Sequence, residues 1–213
     1  VRLYVHHFEV LDRAGKVAFS RGYLLHSNQQ SQGIWATPLD LDRGVITGTP
    51  TPVAMDGLLP STSADGTLVY KRMVGGSQQL AWVDRSGAVL GSIGQTQEWL
   101  AMPALSADGA RAAVVGLDKG VASIWTYDVA RGTRSRVEFG SPFVQYPAWS
   151  PGGDRLAVSA AWDIAIQGLD ATGPPQVVAG GAVVQMEPSW SRDGRHVVFT
   201  VYTGKSDIWF AAL

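Results

Sequence analysis

The segment Pro103-Ala104-Leu105-Ser106-Ala107-Asp108-Gly109 recurs along the chain with small changes. Measured between prolines, successive copies lie 43, 44 and 41 residues apart, and in every copy a serine follows the proline by three residues. Self-similarity at a fixed period of this length is the signature of a repeat architecture. The shared residues are Pro60, Ser63, Asp65 and Gly66; Pro103, Ser106, Asp108 and Gly109; Pro147, Ser150 and Gly153; and Pro188, Ser191, Asp193 and Gly194.

Each copy is followed by short apolar runs that are typical of buried strands. After Gly109 come Ala113-Val114-Val115, then Ile124-Trp125, and then a more polar stretch over residues 134–139. Asp-Gly between such runs indicates a short hairpin, because glycine accepts a positive φ and aspartate tolerates the left-handed region. Proline donates no backbone hydrogen bond and belongs on an edge strand, such as the innermost strand of a propeller blade. The pattern predicts an all-β chain, a β-propeller of four-stranded antiparallel blades with about five repeats visible.

The repeat predicts a single propeller domain over residues 1–213, with blades at 20–59, 60–102, 103–146, 147–187 and, incomplete, 188–213. The first blade is degenerate: it lacks the proline, and its Gly22 lies 44 residues before Gly66. Residues 1–19 are either the outer part of a preceding blade or strands that complete the last one. The repeats either close alone or form an arc of a larger ring. The abrupt ends favour the arc, and a longer parent polypeptide.

The tryptophans follow the repeat, as expected if neighbouring blades stack through large apolar side chains. Trp35, Trp82, Trp125 and Trp209 are predicted to share one strand position, and Trp149 and Trp190 another. Blade 4 has Ala165 at the first position, and Trp162 is expected to fill the space left there. Trp99 and Trp162 fall outside the register and are the aromatic candidates for a surface contact, against core packing as the alternative.

Composition excludes several classes of function. The 213 residues carry a net charge of −1 with scattered basic residues, so neither nucleic acid nor an anionic membrane is an expected partner. Cysteine is absent, which excludes disulfides, thiol nucleophiles and thiolate metal sites. No stretch approaches the roughly 20 apolar residues of a membrane-spanning helix.

No catalytic motif is found, and we predict no catalytic, cofactor or metal site. The chain has neither the Gly-x-Gly-x-x-Gly loop and His-Arg-Asp of kinases nor the Gly-x-Ser-x-Gly elbow of hydrolases. Gly204-Lys205-Ser206 and the pair Asp40 and Asp42 are read as turns rather than phosphate or calcium loops. His6 and His7 are adjacent, so on a strand they point to opposite faces and cannot share a metal.

The repeat contains a Pro-x-Trp-Ser turn, as at residues 147–150, and an Ile-Trp-x-x-Asp strand after the turn, as at residues 124–128 in the preceding copy. This pattern resembles the WD40-like propeller repeat of the TolB family, over residues 20–213. Within it, residues 79–87 and 103–109 are most similar to propellers that follow the catalytic domain of bacterial receptor-like serine/threonine kinases. The resemblance implies a bacterial scaffold for protein or peptide partners, contacted across one face or at the channel mouth, in a periplasmic or extracytoplasmic location. Gly152 departs from the pattern, where other copies have aspartate.

Three functions remain open on this basis. The first is a non-catalytic module that binds a protein or peptide, as the interaction or sensor part of a larger bacterial protein. The second is a substrate-gating propeller of a prolyl oligopeptidase-like serine peptidase, which requires a neighbouring hydrolase domain. The third is a catalytic propeller with acidic residues along the channel, which ranks last because the aspartates and glutamates lie mostly in turns.

Overall fold

The computed structural model describes residues 17–27, 33–55, 57–74, 77–84 and 88–213. The predictions for residues 1–16, including those for His6 and His7, lie outside the described residues. Twenty β-strands form five antiparallel sheets, and no helix occurs among the residues described. None of these residues therefore provides a helix that could cross a membrane.

The sheets follow one another along the chain, and in each sheet strands that are consecutive in sequence pair with one another, apart from the fifth strand of the first sheet, which pairs with its third strand. Blade 1 contains β1 (Val17–Ser20), β2 (Tyr23–Ser27), β3 (Ile34–Asp40), and then β4 (Val45–Ile46) and β5 (Thr51–Ala54), which both pair with β3. Blade 2 contains β6 (Gly57–Thr62), β7 (Leu68–Val74), β8 (Ser77–Val83) and β9 (Val89–Gln97). Blade 3 contains β10 (Leu100–Leu105), β11 (Arg111–Asp118), β12 (Val121–Asp128) and β13 (Arg134–Val137).

Blade 4 contains β14 (Val144–Trp149), β15 (Arg155–Ala160), β16 (Asp163–Gly168) and β17 (Gln176–Ala179). Blade 5 has three strands, β18 (Val184–Trp190), β19 (His196–Tyr202) and β20 (Ser206–Ala212). The prediction of an all-β propeller with antiparallel blades is confirmed. The four repeated prolines all lie in the first strand of a blade, at the edge of its sheet, where a missing N–H breaks no ladder bond.

The Ser-x-Asp-Gly segments form five-residue loops between the first and second strands, longer than the two-residue hairpin that Asp-Gly alone favours. In blade 3 the Gly109 N–H donates to the Ser106 carbonyl at 2.9 Å, with Gly109 at φ +72°. The Ser106 hydroxyl donates to Asp108 at 2.6 Å and accepts the Arg111 N–H at 2.9 Å. These bonds satisfy the loop from within, which explains why serine, aspartate and glycine recur together.

Blade 4 keeps the same bonds although Gly152 stands where the other copies have aspartate. Asp154, two residues later, accepts the Ser150 hydroxyl bond at 2.8 Å. The aspartate is thus displaced along the loop rather than lost. A carboxylate beside the loop serine is therefore common to blades 2 to 5, as Asp65 and Asp193 also accept from their serines.

These loop carboxylates predict a loss of stability in acid. The pKa values of Asp108, Asp154 and Asp193 are lowered from the ordinary 3.8, mainly because each carboxylate accepts a hydrogen bond from the loop serine hydroxyl. The folded chain then binds fewer protons than the unfolded chain, so stability is present above that value and is lost as the pH falls through the lower folded pKa. Urea unfolding at about pH 5 and about pH 3 should show this fall.

Ser106→Ala removes one of these hydroxyl donors, so its free energy of unfolding should decrease less in acid than that of the wild type. Asp170→Asn, at an exposed aspartate in the β16–β17 turn, is the matched control and should leave the fall unchanged. An identical acid sensitivity in Ser106→Ala and the wild type would contradict the role of the hydroxyl bond.

The cores lie between adjacent blades rather than within them. Leu80 of blade 2 packs with Val114 of blade 3, and Ile124 of blade 3 packs with Leu156 of blade 4, all fully buried. Indole N–H groups add polar links, since Trp149 donates to the Ala104 carbonyl at 3.0 Å and Trp190 donates to the Ala148 carbonyl at 3.1 Å. Each of these tryptophans binds the innermost strand of the preceding blade.

The prediction of one shared position for four tryptophans is wrong for Trp82. Trp125 is paired with Val114 and Trp209 with Phe199, on the sheet face turned towards the preceding blade. Trp82 is paired with Val69 and packs against the following blade instead. It lies one residue out of register, and a shift of one residue in a strand moves a side chain to the other face.

Candidate functional site

The innermost strands of all five blades line one central channel, with a volume of about 1030 Å³. Strands β1, β6, β10, β14 and β18 each contribute lining residues, so the channel belongs to the assembled blades rather than to any one repeat. It is about twice as large as two other concave sites in the described part of the chain, which measure about 480 and 440 Å³. Concave sites at the centre of repeated folds are the default place to look for ligand binding.

A β-bulge interrupts four of these strands at the same repeat position. In β10, Met102 and Pro103 together stand opposite the single residue Val114, because the register shifts between Ala101 and Ala104. The same shift occurs in β6, β14 and β18. Bulges re-aim side chains and are often found beside functional sites.

The first residue of each bulge has a positive φ, which is common for glycine but uncommon for other residues. The four residues are Leu59 (φ +57°), Met102 (φ +53°), Tyr146 (φ +55°) and Glu187 (φ +58°). All four line the channel and all directly precede the repeated proline. We call these four residues the bulge ring. Strained backbone conformations are found more often at functional sites than elsewhere, and here the same strained conformation recurs in four blades.

The bulge ring combines one backbone geometry with four different side chains. Its members are an aliphatic chain, a thioether, a phenol and a carboxylate. The Tyr146 N–H lies 3.3 Å from the Met102 sulfur, which links neighbouring blades. Burial, and then the nearby negative charge of Glu187, raises the pKa of Tyr146. Glu187 accepts a hydrogen bond from Thr200 at 3.1 Å and remains exposed.

The Ser-x-Asp-Gly loops lie at one end of the channel. The residue after each serine lines it, namely Ala64, Ala107, Pro151 and Arg192. Among the described lining residues, Glu187 and Arg192 are the charged ones, and both belong to blade 5. The wall is therefore mostly apolar with opposite charges along one side, and paired carboxylates are not found among these residues.

The opposite face carries the two tryptophans that fall outside the repeat register. Trp99 lies in the link between β9 and β10, is 37% exposed, and occupies the place that Phe143 takes one blade later. Trp162 lies in the β15–β16 turn, is 44% exposed, and has a positive φ of 73°. Its ring packs on Phe143 with centroids 4.4 Å apart. Because these connections alternate with the serine loops along each meander, both tryptophans lie on the face away from those loops.

The expectation that Trp162 fills the place of a blade tryptophan is therefore wrong. Ala165 stands opposite Val158, at the position of Trp125 in blade 3, and is itself buried. Trp162 lies in the turn before β16, and its ring packs sideways onto Phe143 in the link between β13 and β14 rather than onto the face of the sheet. Trp162 instead presents an aromatic surface beside Phe143.

Other predicted elements fall where the sequence analysis placed them. Gly204 and Lys205 lie in the β19–β20 turn, with the Thr203 N–H donating to the Lys205 carbonyl at 3.0 Å, and Asp40 accepts the Arg43 N–H at 3.0 Å in a turn. No group of three or more metal-ligating side chains occurs within the described residues. The bulge ring was missed. The sequence does contain a sign of it: the residue directly before the repeated proline differs in every copy, while the proline itself is the same.

No protein-family model and no curated protein matches the sequence. Among solved structures, TolB from Acinetobacter baumannii superposes with a TM-score of 0.72 and 19% identity, over 92% of this chain and 51% of that chain. A protein assigned as TolB from Agrobacterium tumefaciens gives a TM-score of 0.77 and 18% identity, over 93% of this chain and 76% of that chain. A prolyl endopeptidase gives a TM-score of 0.55 and 20% identity, over 72% of this chain and 27% of that chain.

The chain thus spans about half the length of the first of these structures. At sequence identities of 18% to 20%, these similarities show the fold alone. The superpositions agree with the blades described above. This chain therefore has the fold of the TolB-like β-propellers.

Proposed function

We propose that the chain is a non-catalytic module that binds a peptide or a protein segment in its central channel. The observation that carries this proposal is the bulge ring, in which four blades hold different side chains at one strained backbone position facing the channel. A position that served packing alone would favour glycine, or one repeated side chain, at this φ. Variation of chemistry on a constant backbone is what a recognition surface requires.

The lining indicates what kind of segment would fit. Leu59 and Met102 offer apolar contacts, and Tyr146 offers an aromatic ring with a protonated hydroxyl. Glu187 adds a carboxylate on the blade-5 side. An extended segment with apolar side chains, a basic side chain opposite Glu187 and an acidic group opposite Arg192 is complementary to this wall. Association with a kinase, and a periplasmic location, stay predictions from the sequence resemblance.

The test is selection of a displayed random peptide library on the purified chain. Enriched peptides are expected to bind the wild type, and Tyr146→Ala should weaken them at least about tenfold, which is about 1.4 kcal/mol. Tyr146→Phe separates the ring from the hydroxyl. Trp162→Ala is the matched control, because it removes an aromatic side chain from the other face and should change affinity by less than about twofold.

Far-ultraviolet circular dichroism and urea unfolding establish that each variant is folded. Failure to enrich any peptide, or equal binding by Tyr146→Ala and the wild type, would count against a channel site. Loss of binding in Trp162→Ala alone would move the site to the face that carries Trp99 and Trp162.

A gating propeller of a peptidase is a second candidate, supported by the superposition on a prolyl endopeptidase. It makes a different prediction: the gene must encode a hydrolase domain on the same polypeptide. Channel variants would then change the size of peptides that are cleaved, and binding without turnover would not be observed.

A further inference from the structure

A second concave site lies between blades 1 and 2 and has a volume of about 480 Å³. Its buried wall is apolar: Leu25 and Ala36 come from blade 1 and Leu68 from blade 2, and each is at most 8% exposed. Arg21 and Asp84 also line the site and carry opposite charges. We call this site the interblade pocket. Among the described residues it shares no lining residue with the channel, so it is independent of the peptide site proposed above.

Strand pairing explains why there is room between these two blades. Ala36 and Trp82 hold the same position in the third strand of their blades, on the face turned towards the following blade. In the next interface, Trp82 reaches the serine loop of blade 3, where a Cβ added at Gly109 would lie 4.0 Å from Cη2 of the indole. Gly66, the equivalent loop glycine of blade 2, lines the interblade pocket. The pocket therefore occupies the place that an indole fills one interface later.

The later interfaces receive an indole from a second position as well, the last residue of the first strand. Trp149 and Trp190 hold this position in blades 4 and 5, and each donates to a carbonyl of the preceding blade. In blade 2 the same position is Thr62. Tyr70, the large aromatic residue of this interface, does not line the pocket; its ring lies 2.8 Å from the place of a Cβ added at Gly57, at the other end of β6. Both positions that supply an indole elsewhere are thus small between blades 1 and 2.

We propose that the interblade pocket binds a small molecule through an aromatic ring of the size of indole. Because the equivalent place accommodates an indole in the next interface, the geometry of the repeat leaves room for a flat bicyclic ring. The volume lies within the roughly 300–1,000 Å³ of typical ligand sites. The apolar wall favours burial of a ring, and Arg21 adds a cation, which is attracted to the face of an aromatic ring but not to a saturated one.

The first test follows the amide signals of the isotope-labelled chain while indole is added. Saturable shifts are expected at Gly66 and Val53, which line the pocket, with a Kd of about 1 mM or tighter. Met102, in the channel, should not shift. Cyclohexanol, which has a saturated ring, should bind at least about fivefold more weakly. The absence of saturable shifts at Gly66, shifts confined to the channel, or equal affinity for cyclohexanol would overturn the proposal.

Ala36→Trp tests the site from within the chain, because it places an indole where Trp82 lies in the next interface. It should weaken the binding of free indole at least about tenfold, and its urea midpoint should be no lower than that of the wild type. Val177→Trp is the matched control, since Val177 is 58% exposed on β17 and lines neither the pocket nor the channel. This control should change the affinity for indole by less than about twofold.

Thr126→Trp makes the same change at the equivalent position of blade 3, where Trp149 and Phe139 already fill the interface with blade 4. Overpacking should therefore lower the urea midpoint of Thr126→Trp. Equal destabilisation by Ala36→Trp and Thr126→Trp would show that blades 1 and 2 leave no space for an indole, and the proposal would fail. Unchanged affinity for indole in a folded Ala36→Trp would also overturn it.

Discussion

Gly94→Ala is expected to destabilise the chain by about 3 kcal/mol. Gly94 has φ +66°, and an added Cβ would lie 2.5 Å from Cε1 of Tyr127, which belongs to β12 of the next blade. Tyr127 is 2% exposed and has no room to withdraw. The left-handed backbone costs about 1–2 kcal/mol for a residue with a Cβ, and overpacking of a core adds about 1–3 kcal/mol.

Gly140→Ala separates the two effects. Gly140 has φ +65°, nearly the same as Gly94, but no atom lies within 4 Å of an added Cβ. It should therefore cost only the backbone term, about 1–2 kcal/mol. Equilibrium urea unfolding of the three proteins gives the comparison. Equal stability of Gly94→Ala and Gly140→Ala would contradict the close approach of blades 2 and 3 at Tyr127.

Trp149→Ala is expected to cost about 4 kcal/mol, the largest loss for any single truncation proposed for this chain. The indole is 9% exposed and packs in the core between blades 3 and 4. Its N–H donates to the Ala104 carbonyl at 3.0 Å, so truncation also leaves that buried carbonyl without its donor. Because this core joins consecutive blades, the loss should appear as weaker coupling between blades as well as a lower midpoint.

Two further variants distinguish packing from hydrogen bonding at this place. Trp149→Leu introduces the side chain that blade 3 carries at the equivalent Leu105, and should restore part of the apolar contact but not the bond. Trp162→Ala removes an indole that is 44% exposed and should cost less than about 1 kcal/mol. A Trp149→Ala protein as stable as Trp162→Ala would contradict the interblade role of the Trp149 indole. Urea denaturation followed by circular dichroism measures all three.

The serine loops show which features of the fold can be predicted from the local sequence. Proline, serine and glycine recur because each meets a local requirement of the repeat. Proline lies on an edge strand, serine supplies the loop hydroxyl, and glycine adopts the positive φ. These requirements act over a few residues, so the period, the strand order and the edge position of the prolines could all be predicted. Asp154 shows the limit, since its carboxylate replaces the residue missing at Gly152 from a different place in the same loop.

The bulge ring and the register of Trp82 could not be predicted in the same way. A bulge depends on how two strands pair, and a shift of one residue reverses the face of every side chain that follows. Trp82 has the same residue type and nearly the same spacing as Trp125, yet it packs against the opposite neighbour. Composition and period do not carry this information.

The architecture of this protein follows from its amino-acid sequence: an all-β chain of repeated blades, with prolines on the channel-facing edge and no recognisable catalytic motif. The three-dimensional fold was needed to identify which side chains face the channel, which tryptophans join blades, and where a pocket is left between blades 1 and 2. The physical reason is that turns and edges are fixed by neighbours in the chain. The channel and the interblade cores are built from residues about one repeat apart, whose contacts depend on register and packing.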